Sequence, residues 1–303
     1  MSFHIFQRSL QDRSDWRGGL GKRVIAGAKY IVRSALQAQQ HAAWLRFLYQ
    51  TPRMTAILQR DPRLHERPQH DYINQSLSHA RCYAIIESHY RYLFAHWPAT
   101  LVDRIYTGSG ASLGRLTLKD GSEAELMLRV PLGRSREGEL ALYLLDASGR
   151  ALSSIICTLA DDGRSLLIGC LQGAAPGLGR EEVREFTKQA HGMRPKNLLL
   201  SMLYALATAT GVTEIRGVSN GAHPFSGDDD KIKADYDSFW VECQGARLPD
   251  GFYALPLQEP TRDEAQVESK HRSAFRKREA LRHTACELMV NALRTPAAPA
   301  ISI

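Results

Sequence analysis

Three short runs between residues 191 and 240 hold most of the side chains able to do chemistry: His191-Gly192-Met193-Arg194-Pro195-Lys196-Asn197, Ser219-Asn220-Gly221-Ala222-His223-Pro224, and Lys231-Ile232-Lys233-Ala234-Asp235-Tyr236-Asp237-Ser238-Phe239-Trp240. Pro195 opens a helix, and a helix start offers free N–H groups and a positive partial charge to an anion. Arg194, Lys196 and Asn197, with Ser219 and Asn220 at the end of a strand, are therefore candidates for holding the phosphates of a donor. The same residues also suit an ordinary helix start with solvated cations. His223 is the candidate general base, or a loop histidine beyond an Asn220-Gly221 turn. Asp235 and Tyr236 are candidates for orienting an acceptor, although the aromatics around them have the spacing of a buried helix face. Asp228, Asp229 and Asp230 suit a helix N-terminus and lack the glycine spacing of a metal loop, so no metal site is expected.

A fourth cluster, Lys270, Arg272, Arg276, Lys277 and Arg278, makes a basic helix able to attract RNA, lipid headgroups or nucleotide phosphates. Glu264, Glu268, Glu279 and Glu287 supply local counter-charge, so a solvated face is the competing reading. The chain's 39 Lys and Arg against 32 Asp and Glu give +7 over 303 residues, which favours anionic ligands such as a nucleotide, coenzyme A, transfer RNA or acidic lipid. The five cysteines are far apart with no Cys-x-x-Cys pair, as in a reducing compartment. No uninterrupted apolar segment follows the mixed charges of the first 23 residues, and runs such as Leu166 to Cys170 are too short to span a bilayer. A cytoplasmic chain, peripheral at the inner membrane at most, is expected.

Positioning these residues requires an α+β chain. Residues 1–108 read as a helical region, with Val24, Ile25, Ala28, Ile31, Val32 and Leu36 recurring at three and four. From 109 to 262 the texture becomes short alternating runs split by Asp120-Gly121, Ser148-Gly149 and Asp162-Gly163. Strands are expected over 113–118, 123–130, 139–145, 151–159 and 165–172. Helices over 180–191 and from Pro195 to Gly211 follow, then a strand over 213–218, a helix over 231–243 and a hairpin over 246–255. Residues 263–303 read as a basic helix with a Pro/Ala tail. A mixed, mainly antiparallel sheet flanked by helices results.

This element order resembles the Gcn5-related N-acetyltransferase fold, which implies acyl or aminoacyl transfer onto an amine, with acyl-CoA or an aminoacyl-tRNA as donor. The chain departs from that family by inserting a helix where its glycine-rich pyrophosphate loop would lead straight into the long helix. The runs at 191–197, 218–223, 231–240 and 269–278 together resemble the VirK/YbjX family of bacterial proteins. That resemblance implies a link to virulence, envelope homeostasis and tolerance of antimicrobial peptides. It also leaves open a non-enzymatic envelope-stress factor that binds anionic lipid, RNA or a protein partner through the basic helix.

Overall fold

Residues 3–132, 136–175, 177–227 and 234–294 are described by a computed structural model. Six helices come first: α1 (Phe3–Gln11), α2 (Leu20–Leu36), α3 (Ala38–Gln50), α4 (Pro52–Arg60), α5 (His79–His96) and α6 (Ala99–Tyr106). Then follow β1 (Ala111–Thr117), β2 (Glu123–Arg129), β3 (Leu140–Leu145), β4 (Ala151–Ala160) and β5 (Ser165–Gln172). Two helices, α7 (Arg180–Gln189) and α8 (Pro195–Thr210), lead to β6 (Glu214–Val218). The chain continues through α9 (Tyr236–Glu242), β7 (Ala246–Arg247), β8 (Phe252–Leu255) and α10 (Ser269–Arg294).

The strands form one sheet in the order β1-β2-β3-β4-β5-β6-β8-β7, antiparallel throughout except for the parallel pair β5 and β6. Tight turns build the meander, and one shows how. Asp161, Asp162 and Gly163 all take positive φ, and the Arg81 guanidinium forks onto Asp161 at 2.7 Å through both nitrogens. Parallel pairing cannot be made by a hairpin, so β5 reaches β6 through α7 and α8. Gly211, at φ 73°, ends α8 in the left-handed conformation that the sequence suggests.

Alternation along the strands divides the interior in two. Leu140, Leu142, Leu144, Ile155 and Cys157 join a large cluster that runs from Trp44 to Met289 and takes in α3 to α6, α8 and α10. The intervening residues Ala141, Tyr143, Leu145, Ile156 and Cys170 form a smaller cluster of their own. A buried ion pair ties the helical region to the sheet: Arg67 donates to Glu139 at 2.5 Å and also pairs with Asp61, while the Tyr90 hydroxyl donates to Glu139 at 2.7 Å.

Several expectations shift. The helix expected over 231–243 is helical over Tyr236–Glu242; Lys231, Ile232, Lys233 and Asp228 to Asp230 lie outside the described residues, as does the tail after Arg294. The basic helix begins at Ser269, after a 3-10 turn at Glu264–Gln266 that Asp263 caps. The apolar stripe of α2 has the spacing that ordinarily faces a core, yet it faces outward, and Gly27, Tyr30 and Ser34 are the buried side.

Burial of neutral histidines sets how stability depends on pH. His41, His65 and His89 are inaccessible, and burial pushes them down to about 3, about 4 and about 3. Their folded values lie below the ordinary histidine value, so the stability they contribute is complete above about pH 6.5 and is lost as pH falls toward the folded values. Each should cost about 1 kcal/mol per pH unit over that window. Urea midpoints should therefore fall steeply from pH 7.5 to pH 5; a flat profile would exclude this.

Candidate active-site cleft

The sheet opens between β5 and β6. β5 pairs with β6 only from Ser165 to Ile168, against Glu214 to Gly217, while its pairing with β4 continues to Gln172. One extra β5 residue, Gly169, sits between the Ile156–Cys170 and Cys157–Ile168 pairs as a bulge. A Cβ there would lie 2.0 Å from the carbonyl oxygen of Glu137, so the position requires glycine and the Glu137 backbone rests directly on the bulge. On the other lip, Trp240 lies over Gly217, where a Cβ would meet its ring at 2.4 Å, and its indole N–H donates to Val218 O at 2.8 Å.

Two adjoining cavities border the end of β5. The larger, about 790 Å³, is lined by Leu152, Val183, Pro195, Asn197 and Phe239 among others. The second, about 550 Å³, is lined by Tyr143, Ser154, Cys170, Gln172 and Tyr236. Gly173, Lys196 and Ala234 line both, so Lys196 stands at their junction.

Behind Cys170, which lines the second cavity, one ligand atom each of Glu137, Cys170 and His223 lies within 4.8 Å of the others. His223 is 1% exposed. Its Nδ1 accepts the Phe225 N–H at 3.2 Å, and its Nε2 lies 3.2 Å from Glu137 Oε1 without the alignment of a hydrogen bond. The Tyr236 hydroxyl donates to Cys170 Sγ at 3.3 Å. Burial, with Glu137 adding to it, holds the Cys170 thiol well above its ordinary value. Burial also raises the Tyr236 phenol, with Cys170 and Glu137 adding to it. Both therefore stay protonated at neutral pH: Tyr236 keeps its O–H as a hydrogen-bond donor, and Cys170 is not a ready thiolate nucleophile. The sulfur, nitrogen and oxygen donors of the cluster are also of the kind zinc accepts.

The residues singled out in the sequence have different fates. Lys196 reaches the cleft, its ammonium held below the ordinary value by desolvation. Asn197 lines the larger cavity with a buried Oδ1 that has no partner among the described residues. Arg194 borders the same cavity, half exposed and paired with Glu242. Ser219 is buried and accepts the Ala222 N–H at 3.3 Å. Asn220 serves α9: its Oδ1 accepts the N–H groups of Tyr236 and Asp237 at 2.7 and 3.0 Å, and its Nδ2 donates to Ala234 O at 2.9 Å. Asp235 caps the same helix, accepting Ser238 N–H at 3.0 Å and Ser238 Oγ–H at 2.6 Å. Asn220 and Asp235 thus aim Tyr236.

The basic residues of α10 stand apart from the cleft, on a helix packed against α8 and β1. Lys270 pairs with Glu268 at 2.8 Å, Arg276 with Glu264 at 3.1 Å and Arg278 with Glu279 at 3.7 Å. Arg272 donates to Val267 O at 3.0 Å, and Lys277 is exposed. Glu137 and Cys170 were not legible as site residues: one is a loop carboxylate among charged neighbours, the other a cysteine inside an apolar strand.

Two outcomes are expected of the cluster. In the native chain at pH 7.5 iodoacetamide should leave Cys170 unlabelled by peptide mass spectrometry, and denaturant should expose it; rapid native labelling would instead reveal a reactive thiolate. Gly169→Ala should lower stability by about 1–3 kcal/mol in urea, because the clash is with backbone.

Comparison with known proteins agrees with the family resemblance and adds no fold precedent. Escherichia coli K12 has an "Uncharacterized protein YbjX" 28% identical over 257 residues, covering 82% of this chain and 78% of that protein. An "Uncharacterized protein" of Haemophilus influenzae is 34% identical over 116 residues, 37% of this chain and 39% of its own. "Membrane protein LapB" of Mannheimia haemolytica is 24% identical over 203 residues, 65% of this chain and 85% of its own. No solved structure matches. The family described as "Protein of unknown function (DUF535)" matches residues 21–289, and this chain belongs to it.

Proposed function

We propose that the cleft transfers an acyl or aminoacyl group from a thioester or ester donor to an amine. The observation that carries this reading is the end of β5–β6 pairing, beyond which a strand edge covered by no other strand, Lys196 and the protonated Tyr236 hydroxyl border one cavity. The β6-facing edge of β5 beyond Ile168 offers backbone groups to an extended, amide-bearing donor such as the pantetheine arm of acyl-CoA. The start of α8, with Lys196 and Asn197, faces the donor's phosphates. The Gcn5-related element order supports the same reading, with α7 as the insertion.

In the reaction the amine nitrogen bonds to the donor carbonyl carbon, and the bond from that carbon to sulfur or oxygen breaks. The leaving thiolate or alkoxide takes the Tyr236 proton, and the proton lost by the amine passes to the Glu137 carboxylate. His223, whose Nδ1 already accepts a backbone N–H, keeps its own proton on Nε2 beside the Glu137 carboxylate, and Glu137, whose side chain is 15% exposed, releases the proton to solvent. The acceptor belongs to the cell envelope in this account, consistent with a relative named as a membrane protein. Pairing of Lys270, Arg276 and Arg278 with neighbouring glutamates gives less support to an anion-binding factor acting through α10.

Native mass spectrometry of the chain purified from a bacterial host tests this. The wild type should retain a CoA thioester or transfer RNA, and Lys196→Ala should lose it. Tyr236→Phe should keep the donor but slow transfer by about 10²-fold. An apo mass for the wild type, with no uptake of added acetyl-CoA or aminoacyl-tRNA, would refute the reading.

A further inference from the structure

The outward face of α2 has no counterpart elsewhere among the described residues. Leu20, Val24, Ile25, Ile31, Val32 and Leu36 are 45–80% exposed, whereas the other helices expose at most a single large apolar side chain, Val241 of α9, among the described residues. At about 100° per residue these side chains, with Ala28 and Ala35 among them, fill one continuous arc of about 160°. Lys22, Lys29 and Arg33 border that arc on one side. Gly27, Tyr30 and Ser34 lie away from it and are buried against the body of the protein, where Tyr30 donates to Ser9 Oγ at 2.8 Å and meets His41 Nε2 at 2.8 Å. The helix is therefore anchored by its narrow polar side and displays its broad apolar side.

We propose that α2 is a membrane-surface docking helix, seated in the interface of an anionic bilayer. The geometry is that of a helix lying in the plane of a membrane: an apolar arc at acyl depth, with cations beside it at headgroup level. It cannot cross the bilayer, since no described helix is long and apolar enough to do so. Charge selects the occupant. The 17 residues of α2 carry Lys22, Arg23, Lys29 and Arg33 and not one carboxylate. A second copy seated on this face would bring four cations against four with no acidic partner within the helix, whereas anionic lipid supplies the missing counter-charge.

The docked helix is tied to the loop that carries the cleft's carboxylate. Arg33 lies 3.3 Å from His70 Nε2, and Arg136 lies 3.1 Å from His70 Nδ1 on the opposite side of the ring. Arg136 immediately precedes Glu137. The proposal stands whether or not the cleft transfers an acyl group, since it rests on the exposed arc and its charges alone.

Co-sedimentation of the full chain with vesicles tests it, using phosphatidylcholine alone and phosphatidylcholine mixed with phosphatidylglycerol. Wild type should bind the mixed vesicles and leave the neutral ones largely unbound, with binding weakened by salt. Val24→Asp with Val32→Asp should lower partitioning at least about tenfold. Lys22→Glu with Lys29→Glu should lower it about fivefold per residue and remove the preference for phosphatidylglycerol. The four side chains are solvent-exposed, so melting temperatures should match wild type; the lysine pair keeps the test decisive if the aspartate pair misfolds. Failure of wild type to bind either vesicle would overturn the proposal. So would a wild-type dimer in analytical ultracentrifugation that Val24→Asp with Val32→Asp converts to monomer, because the face would then belong to a second copy.

Discussion

One extra residue in one strand shapes the middle of this protein. Gly169 lengthens β5 against β4, and with no side chain it lets the Glu137 backbone come to rest on the strand. Past that point β5 no longer pairs with β6, and the sheet is left with an edge that no strand covers, beside a cavity. A buried edge of this kind must bond something other than a strand, which is why the opening reads as a place for a ligand. Glu137, Cys170, His223 and Tyr236 meet there although they come from a loop, a strand, a second loop and a helix start.

Around this point the protein is fastened from several directions. Trp240 closes the far lip through Gly217 and Val218, and Asn220 fixes the first turn of α9 by taking up both of its leading N–H groups. On the near side, the Arg67–Glu139 pair secures the helical region to the strand that starts three residues after Glu137. Removing either partner of such a buried pair leaves an uncompensated charge, so the pair serves to fix position more than to add stability. Rigid support on both lips is what a catalytic group needs to hold its geometry.

Much of the fold was legible in the sequence because its signals are local. Aspartate–glycine pairs placed the turns, β5 was read with both of its ends correct, and Pro195 and Gly211 marked the two ends of α8. The VirK/YbjX resemblance was legible too, since it rests on linear runs of residues, and the YbjX relative agrees with it. The cleft was harder, since its partners lie far apart in the chain: the Glu137 backbone rests on a bulge in β5, and no spacing rule reports a bulge. Asn220 and Asp235 show the converse difficulty, polar residues singled out for chemistry whose side chains also hold a helix start. The exposed face of α2 was hidden for a related reason, since periodicity tells which residues share a face and not what that face meets.

The central claim is that the strand edge beyond Gly169 receives an acyl donor, and hydrogen exchange measured by mass spectrometry with and without acetyl-CoA tests it most directly. Exchange should slow only at 169–173 and 194–198, the two sides of the opening, with the β1–β4 meander unchanged. Unchanged exchange at 169–173 under saturating acetyl-CoA, or protection appearing only on α10, would contradict it.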